Sequence, residues 1–494
     1  MSTTYERQRD LDVPAPPKRD VGRWVVAASC VIFLVQVWLL RGFVTDDSWI
    51  SVRYAETIGS GSGWGWNPGG EPVEGFSNPL LVMVEALAHS VGLDALLVAR
   101  LIGVAAGLGC VIVVYAWGRL VVGDVAAAVA AVLTGTLAPL ALWSVGGLET
   151  SIVCLLLTGA AIQLAREDVD STTVAAWLLA PLPWLRPEAL AVAGVLLVAA
   201  HVLRPWRRTL LRSLVAGLAP VLVSQALLQL VRWVVYGNVM PNSALYKVGT
   251  GDALEVPTTF LEEHRLLVIA AVLGVLLLTG RQWVLVVAPV VYLLGSIGTL
   301  DSANGWSRFL VPVLPLLALL AGVAIAAALA FLGLRQWWAT TVTAVLLVVL
   351  AVTSAPSRIG IVSEWHHAYT DCKVVVREDM VDWLNTTPED TVFAISDAGL
   401  VPARGGGRMA IDNFLLNEAA LQELGALHAD ERAERVFSLR PDVLILASVS
   451  DERFDGVYRT DQLVHDHPQA AGYSLAHVAA AGDGCEYSLW AYQR

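Results

Sequence analysis

The stretch RWVVAASCVIFLVQVWLLRGFVTDDSWISVRY, residues 23–54, decides how the rest of the chain is read. Residues 23–41 form an apolar run long enough to cross a bilayer core as one helix. It ends at Arg41-Gly42-Phe43 and not at a small-residue cleavage site, so it reads as an anchor and not as a removable leader. Two adjacent acids, Asp46 and Asp47, follow at once. The chain leaves the lipid and presents charge at its rim.

Composition extends that reading to most of the 494 residues. Hydrophobic residues make up 56% and charged residues only 15%, with a mean hydropathy of +0.62. No water-soluble core hides that much apolar surface. The net charge of −12 is unevenly spread, because residues 355–494 hold 22 acids and 11 bases while the preceding part holds 22 and 21. The tail reads as an acidic soluble domain. That balance argues against nucleic acid as a partner, since phosphate binding needs a basic surface.

Residues 1–22, with Arg7, Arg9, Lys18 and Arg19 among three prolines, read as a disordered cytoplasmic arm. The polar loop 42–94 contains an apolar stretch at 79–92 that suits an interfacial helix. Apolar runs at 95–118, 124–142, 149–165, 173–185, 188–203, 210–235, 265–280, 282–299, 309–332 and 337–354 bring the expectation to about eleven spans with the first. Arg119, Arg166, the cluster Arg204, Arg207, Arg208 and Arg212, Arg281 and Arg335 then fall in inside loops. The same threading puts 42–94, 143–148, 186–187, 236–264, 300–308 and the tail outside. The expected architecture is a polytopic α-helical membrane protein, with residues 23–354 as its transmembrane domain and 355–494 as an extracytoplasmic α/β domain. In that tail, 374–386 reads as a helix, and Thr391–Ile395, Val443–Ala447 and Tyr487–Tyr492 read as strands. Cys30, Cys110 and Cys154 lie in apolar runs and read as buried thiols. Cys372 and Cys485 pair if the tail lies in an oxidising compartment.

Chemistry is to be sought in the outer loops. The acidic pair could mark a plain helix cap, with Thr45 or Asp46 capping a helix that starts at Asp47, or supply a general base on a sugar hydroxyl or a ligand for a divalent cation, the one cofactor considered. Gly63–Pro79 gathers Trp66, Asn67, Glu74 and Asn78 in tight turns. An aromatic belt explains its tryptophans but not its glutamates and asparagines. Glu149, Arg186 and Glu188 are ionisable groups at membrane boundaries, where charge is costly; a structural Arg–Glu pair is the alternative. Asn242 follows Tyr236-Gly237. Lys247 and Arg308 would put cations beside a lipid phosphate, unless they merely snorkel. No P-loop, dinucleotide fingerprint, zinc spacing or serine elbow is present.

These segments in this order resemble the GT-C superfamily of polytopic glycosyltransferases that use polyprenyl-phosphate sugars. They are most similar to the actinobacterial terminal arabinofuranosyltransferase group, which includes flagellar motor control proteins. The likeness runs through Asp46-Asp47, Arg53-Tyr54, Trp66-Asn67, Pro72-Val73-Glu74-Gly75, Asn78, Gly147-Leu148-Glu149-Thr150, Arg186-Pro187-Glu188, Tyr236-Gly237, Pro241-Asn242 and Arg308-Phe309-Leu310. In the tail it continues in Ser396-Asp397-Ala398-Gly399 and Ile411-Asp412. The family's Gly-Gly-Asp-Trp pattern is reduced here to Asp301 and Trp306, and the tail is shorter. The resemblance implies an inverting transferase with a first-loop aspartate as base, a polyprenyl-phosphate sugar as donor and a cell-envelope glycan as acceptor.

Asp46 is the expected base, because it lies nearer the end of the first span. Its neighbour would bind a sugar hydroxyl, a cation or Arg53. A non-catalytic envelope assembly or motor-control protein with the same fold is the alternative. A transporter would carry its ionisable residues along span interiors, whereas here they sit at outer ends.

Overall fold

The computed structural model describes residues 21–166, 169–203, 210–246, 255–297, 308–333, 367–421, 428–482 and 484–494. Of the expected arm only Val21 and Gly22 are among them, and they open a helix; its other residues, the span at 337–354, Arg204, Arg207, Arg208, Arg335, Lys247, Asp301 and Trp306 lie outside them.

Among the described residues, four stretches are long and apolar enough to cross a membrane: Gly22–Leu39, Ala95–Val122, Gly217–Tyr236 and Val311–Phe331. A fifth arises if Asp124–Gly135 and Ala138–Val145, bent by 54°, count as one broken span. Pro139 sits in the first turn of the second piece, where its missing N–H does no harm, whereas in an unbroken helix it would leave the Gly135 carbonyl without a donor. The remaining apolar runs form shorter helices, including Thr150–Ala165, Ala189–Val202 and Arg265–Val275. Prolines account for part of the shortening. The run at 173–185 ends its helix at Leu179, and Pro181 and Pro183 force a 3₁₀ turn over Leu182–Trp184.

Small residues set how closely these helices meet. A side chain at Gly322 would strike the Ala126 carbonyl, and one at Gly274 would strike that of Leu320. Backbone-to-backbone approach at such positions is how helices associate in lipid. The helix Leu314–Phe331 therefore lies at the middle of the bundle, with Leu314 to Gly322 buried.

The tail forms one five-stranded sheet. Its strands are β1 (Phe393–Ile395), β2 (Ala410–Asp412), β3 (Val443–Ser448), β4 (Ser474–Ala480) and β5 (Ser488–Gln493), in the order β2-β1-β3-β5-β4. The first three are parallel, while β5 runs antiparallel to β3 and β4. Helix Val375–Asn385 covers the sheet next to β4 and β5. Two strands were not expected. β2 has three residues after a glycine run, and β4 carries small, exposed residues. Neither gives the alternation that marks a half-buried strand.

The loop 42–94 is not a free appendage of the bundle. Trp49, Val52, Tyr54, Trp66 and Phe76 share one apolar core with Val376, Met380, Phe393, Ile395 and Val401 of the tail. The turn after β1 and the residues on both sides of β2 thus meet the helix Asp46–Gly59, and that junction positions the site.

Candidate active site

The helix Asp46–Gly59 begins with Thr45 in extended backbone. Successive side chains on a helix point about 100° apart, so the two acids at its start diverge. Asp46 turns toward the tail. Its carboxylate accepts hydrogen bonds from the backbone N–H of Gly399 and Leu400, both at 3.0 Å, and lies 3.4 Å from Arg377 Nε. Its own N–H donates to Tyr369 Oη at 2.7 Å. Gly399 is required there, because any side chain would collide with Asp46. The Asp46 side chain is 15% exposed. Burial pushes its carboxyl up, against the pull of Arg377. Burial also raises Asp397, but Arg377 and the Tyr487 hydroxyl override it and hold that carboxyl below its usual value.

Asp47 turns the other way, toward the bundle. Its Oδ2 accepts from Arg308 Nη1 at 2.9 Å, and its side chain is 43% exposed. Arg308 reaches on to Glu149 Oε1 at 3.4 Å. Glu149 is also 3.4 Å from Arg186 Nε and accepts from Asn78 Nδ2 at 3.2 Å. Arg186 in turn pairs with Glu188 at 3.1 Å. Five charges therefore alternate in sign along one line, buried in the middle and open at Asp47 and Glu188. The line ends net −1. Phe309 lies under both guanidinium groups, 4.8 Å from Arg186 and 5.9 Å from Arg308. Buried donors remain without a hydrogen-bond acceptor among the described residues: Nε of Arg308 and Nη1 of Arg186. Such unspent donors suit a phosphate oxygen.

Glu85 joins this cluster from helix Pro79–Ser90. It is fully buried, neither carboxyl oxygen has a partner among the described residues, and Glu149 acts on it electrostatically. Burial pushes its carboxyl well above the ordinary range. An acid inside an apolar helix was its one signal in the sequence.

Several residues named as substrate-binding candidates join the loop to the tail, and Glu74 joins it to helix Leu210–Tyr236. Arg53 is buried, stacks on the Trp66 ring at 5.0 Å and donates to the carbonyls of Trp66, Pro402 and Arg408 and to Asn67 Oδ1. Its donors are spent on structure. Asn67 pairs with both the N–H and the C=O of Ala410, at 3.0 and 2.8 Å, and so extends the outer edge of β2. Tyr54 donates to Asn417 and accepts from the Gly75 N–H. Asn242 holds the carbonyls of Leu416 and Glu418, both at 2.9 Å. Glu74 is bound by two N–H groups of Arg232, at 2.8 and 2.9 Å. Trp66 is buried in the shared core. Cys372 and Cys485 are joined in a disulfide, with Cα atoms 5.4 Å apart.

The acidic pair does not fit a divalent cation. Asp46 has both oxygens committed to backbone donors with Arg377 beside them, and Asp47 faces Arg308. Among the described residues no group of three His, Cys, Asp or Glu side chains could hold a metal ion.

Three of the loops assigned to the opposite side, around Val121, Arg166 and Arg281, meet one another away from this site. There Arg281 donates to the Arg166 carbonyl and Gln282 to that of Val121, beside a cleft of about 570 Å³.

No protein-family model matches the chain, and no curated protein matches it by sequence. Solved structures do match by shape. ArnT from Cupriavidus metallidurans bound to undecaprenyl phosphate is 13% identical, covers 95% of this chain and 97% of its own, and has a TM-score of 0.60. The oligosaccharyltransferase AglB from Archaeoglobus fulgidus, in complex with an inhibitory peptide and a dolichol-phosphate, is 12% identical over 87% of this chain and 69% of its own, with a TM-score of 0.57. Arabinofuranosyltransferase AftD from Mycobacteria is 14% identical over 96% of this chain and 40% of its own, with a TM-score of 0.52. The chain has the fold of these polytopic GT-C glycosyltransferases.

Proposed function

We propose that the chain is a membrane glycosyltransferase that moves a sugar, arabinofuranose, from a polyprenyl-phosphate donor to a cell-envelope glycan on the outer face of the membrane. Asp47, not Asp46, is its general base. The observation that carries this reading is the buried line Asp47–Arg308–Glu149–Arg186 at the rim of a GT-C fold. Only one of the two acids is accessible there. Asp46 is held by two backbone N–H groups and Arg377, and a base must reach the proton it takes.

In the reaction, the acceptor hydroxyl attacks the anomeric carbon from the face opposite the phosphate, and its proton passes to Asp47. The bond from that carbon to the phosphate oxygen breaks, and its electron pair leaves with the polyprenyl phosphate. The configuration inverts. Arg308 and Arg186 meet the charge that builds on the departing phosphate, and fixed cations in a dry site do this with little reorganisation. Glu149 holds both guanidinium groups in place. The choice of arabinofuranose rests on the motif resemblance. The outward orientation rests on the arginines of the loops assigned to the opposite side, and a lipid phosphate supplies both sugar and leaving group where nucleotide sugars are absent.

The test is incubation of the purified protein with labelled polyprenyl-phosphate sugars and envelope glycan, scoring transfer. Transfer from an arabinofuranosyl donor that is lost in Asp47→Asn is the expected result. No transfer from any lipid-phosphate sugar overturns the reading.

A further inference from the structure

A second cleft, of about 220 Å³, opens where three outer segments meet. Val73 and Glu74 come from the first loop, Tyr236, Asn238 and Met240 from the turn after helix Leu210–Tyr236, and Ala419 from the tail. It lies just below the usual range for drug-sized ligands, about 300–1,000 Å³. One sugar ring is the right scale. A lipid chain or a folded peptide is not.

The lining is chemically selective. Among the described residues that line it, Glu74 is the one charged side chain, and two hydrogen bonds to Arg232 neutralise it. Among the described residues of its lining a phosphate would find no spare cation. A carboxylate offers about four lone-pair sites, and Arg232 takes two of the four on Glu74. The others can accept from hydroxyl groups. Beside it stand an amide and a phenol, with Val73 and Met240 as apolar contacts. Carboxylate, amide and aromatic ring together suit a neutral polyol.

The geometry is set in advance of any ligand. Asn238 Nδ2 donates to the Tyr236 carbonyl at 3.2 Å, and Phe76 meets the Tyr236 ring edge-on at 6.4 Å. Gly237, at φ +70°, makes the reversal that brings Tyr236 and Asn238 to one wall. The Asn242 N–H ties the Glu74 carbonyl at 2.9 Å.

The cleft is also near the reacting centre. Glu74 and Asn78 are four residues apart on one irregular strand of loop, at most about 14 Å even if fully extended. Asn78 touches Glu149. A glycan of a few sugars spans both places.

We propose that this cleft binds a neutral sugar ring of the acceptor glycan, removed from the ring that carries the attacking hydroxyl, and so selects which glycan is extended. The inference rests on the transferase reading for its meaning but not for its test. The probe is a short, uncharged arabinan oligosaccharide, titrated without donor into the detergent-purified protein by saturation-transfer NMR. Wild type and Asp47→Asn are expected to bind it alike. Asn238→Ala, which removes one polar partner, and Ala419→Trp, which fills the space, are each expected to weaken binding by about tenfold, the equivalent of one hydrogen bond. Thermal melts check that both variants are folded. Equal binding by wild type and both cleft variants, or no binding by wild type, overturns the proposal. Cleft-dependent binding in a protein that transfers no sugar sustains the cleft and sinks the transferase reading instead.

Discussion

The division of labour between the two first-loop acids can be tested by replacing each with asparagine. In Asp46→Asn, one carbonyl oxygen remains to accept from Gly399 or Leu400, so one backbone hydrogen bond and the attraction to Arg377 are lost. Hydrogen bonds to charged groups are worth about 1.5–3 kcal/mol each. Stripping one partner from a buried ion pair costs about 3–5 kcal/mol, but Arg377 keeps two hydrogen bonds to Asp397 and is not left bare. The loss should therefore be about 2–3 kcal/mol, at the junction of loop and tail. For a body of 150–250 residues this lowers Tm by roughly 4–12 °C. In Asp47→Asn the amide oxygen can still accept from Arg308, whose buried guanidinium keeps Glu149, so the loss should be about 1 kcal/mol and the melt should change little, while the transfer rate falls about 10²–10⁴-fold. Tryptophan-fluorescence melts in detergent, with limited proteolysis of the tail, give the first quantity, and labelled-donor transfer gives the second. If Asp46→Asn melted as wild type yet lost transfer, while Asp47→Asn turned over normally, the assignment drawn from this geometry would be refuted.

Arg308→Lys keeps the charge but loses the fork that spans Asp47 and Glu149, so the rate of transfer should fall about 10²–10³-fold, seen as kcat and not KM. Glu85→Gln should preserve expression and melting temperature, because a buried carboxyl that has no partner among the described residues is already neutral; a loss above about 2 kcal/mol would show a buried charge pair instead. Burial pushes Asp461 and Glu418 up to about 7, and Asp412 up to about 6. Each holds its proton more tightly folded than unfolded, so its share of stability is full below about pH 4 and is lost as pH climbs through about 6 to 7. The tail should melt higher at pH 5 than at pH 8, and a flat profile would contradict these environments. Cys372→Ser should lower tail stability by about 2–4 kcal/mol, since the bond closes a long loop, and alkylation of both thiols in non-reduced protein would deny the pairing.

What the sequence discloses is tied to short-range pattern. Apolar run length locates the helix Val21–Leu39, and the resemblance picks out Glu149, Arg186 and Arg308, which the structure brings into one line. Pattern does not disclose which way a side chain turns. Arg53, Tyr54 and Asn67 have the residue types of a binding loop, but their partners lie more than three hundred residues away in the tail. No local signal separates a polar group that waits for substrate from one already satisfied by a distant carbonyl. The same limit applies to Asp46 and Asp47, adjacent and chemically alike. β2 and β4 are illegible for another reason. Their stability comes from pairing with β1 and β5 and not from their own alternation.

The adjacency of the two acids then acquires a physical purpose. A helix turns by about 100° per residue, so fixing the direction of Asp46 fixes that of Asp47. Asp46 is fixed by the tail, through Gly399, Leu400 and Arg377. Asp47 meets the bundle, through Arg308. One turn of helix thus sets the angle between the tail and the proposed base. Arg53, two turns further along the same helix, is locked by the carbonyls of Pro402 and Arg408, which prevents that turn from rolling. The tail in this view does not merely sit beside the reacting centre. By clamping the helix at both Asp46 and Arg53, it holds Asp47 at a constant distance from the arginines that would receive the phosphate. In a reaction that depends on an in-line arrangement of hydroxyl, anomeric carbon and leaving group, such positioning is worth as much as the chemistry of the base itself.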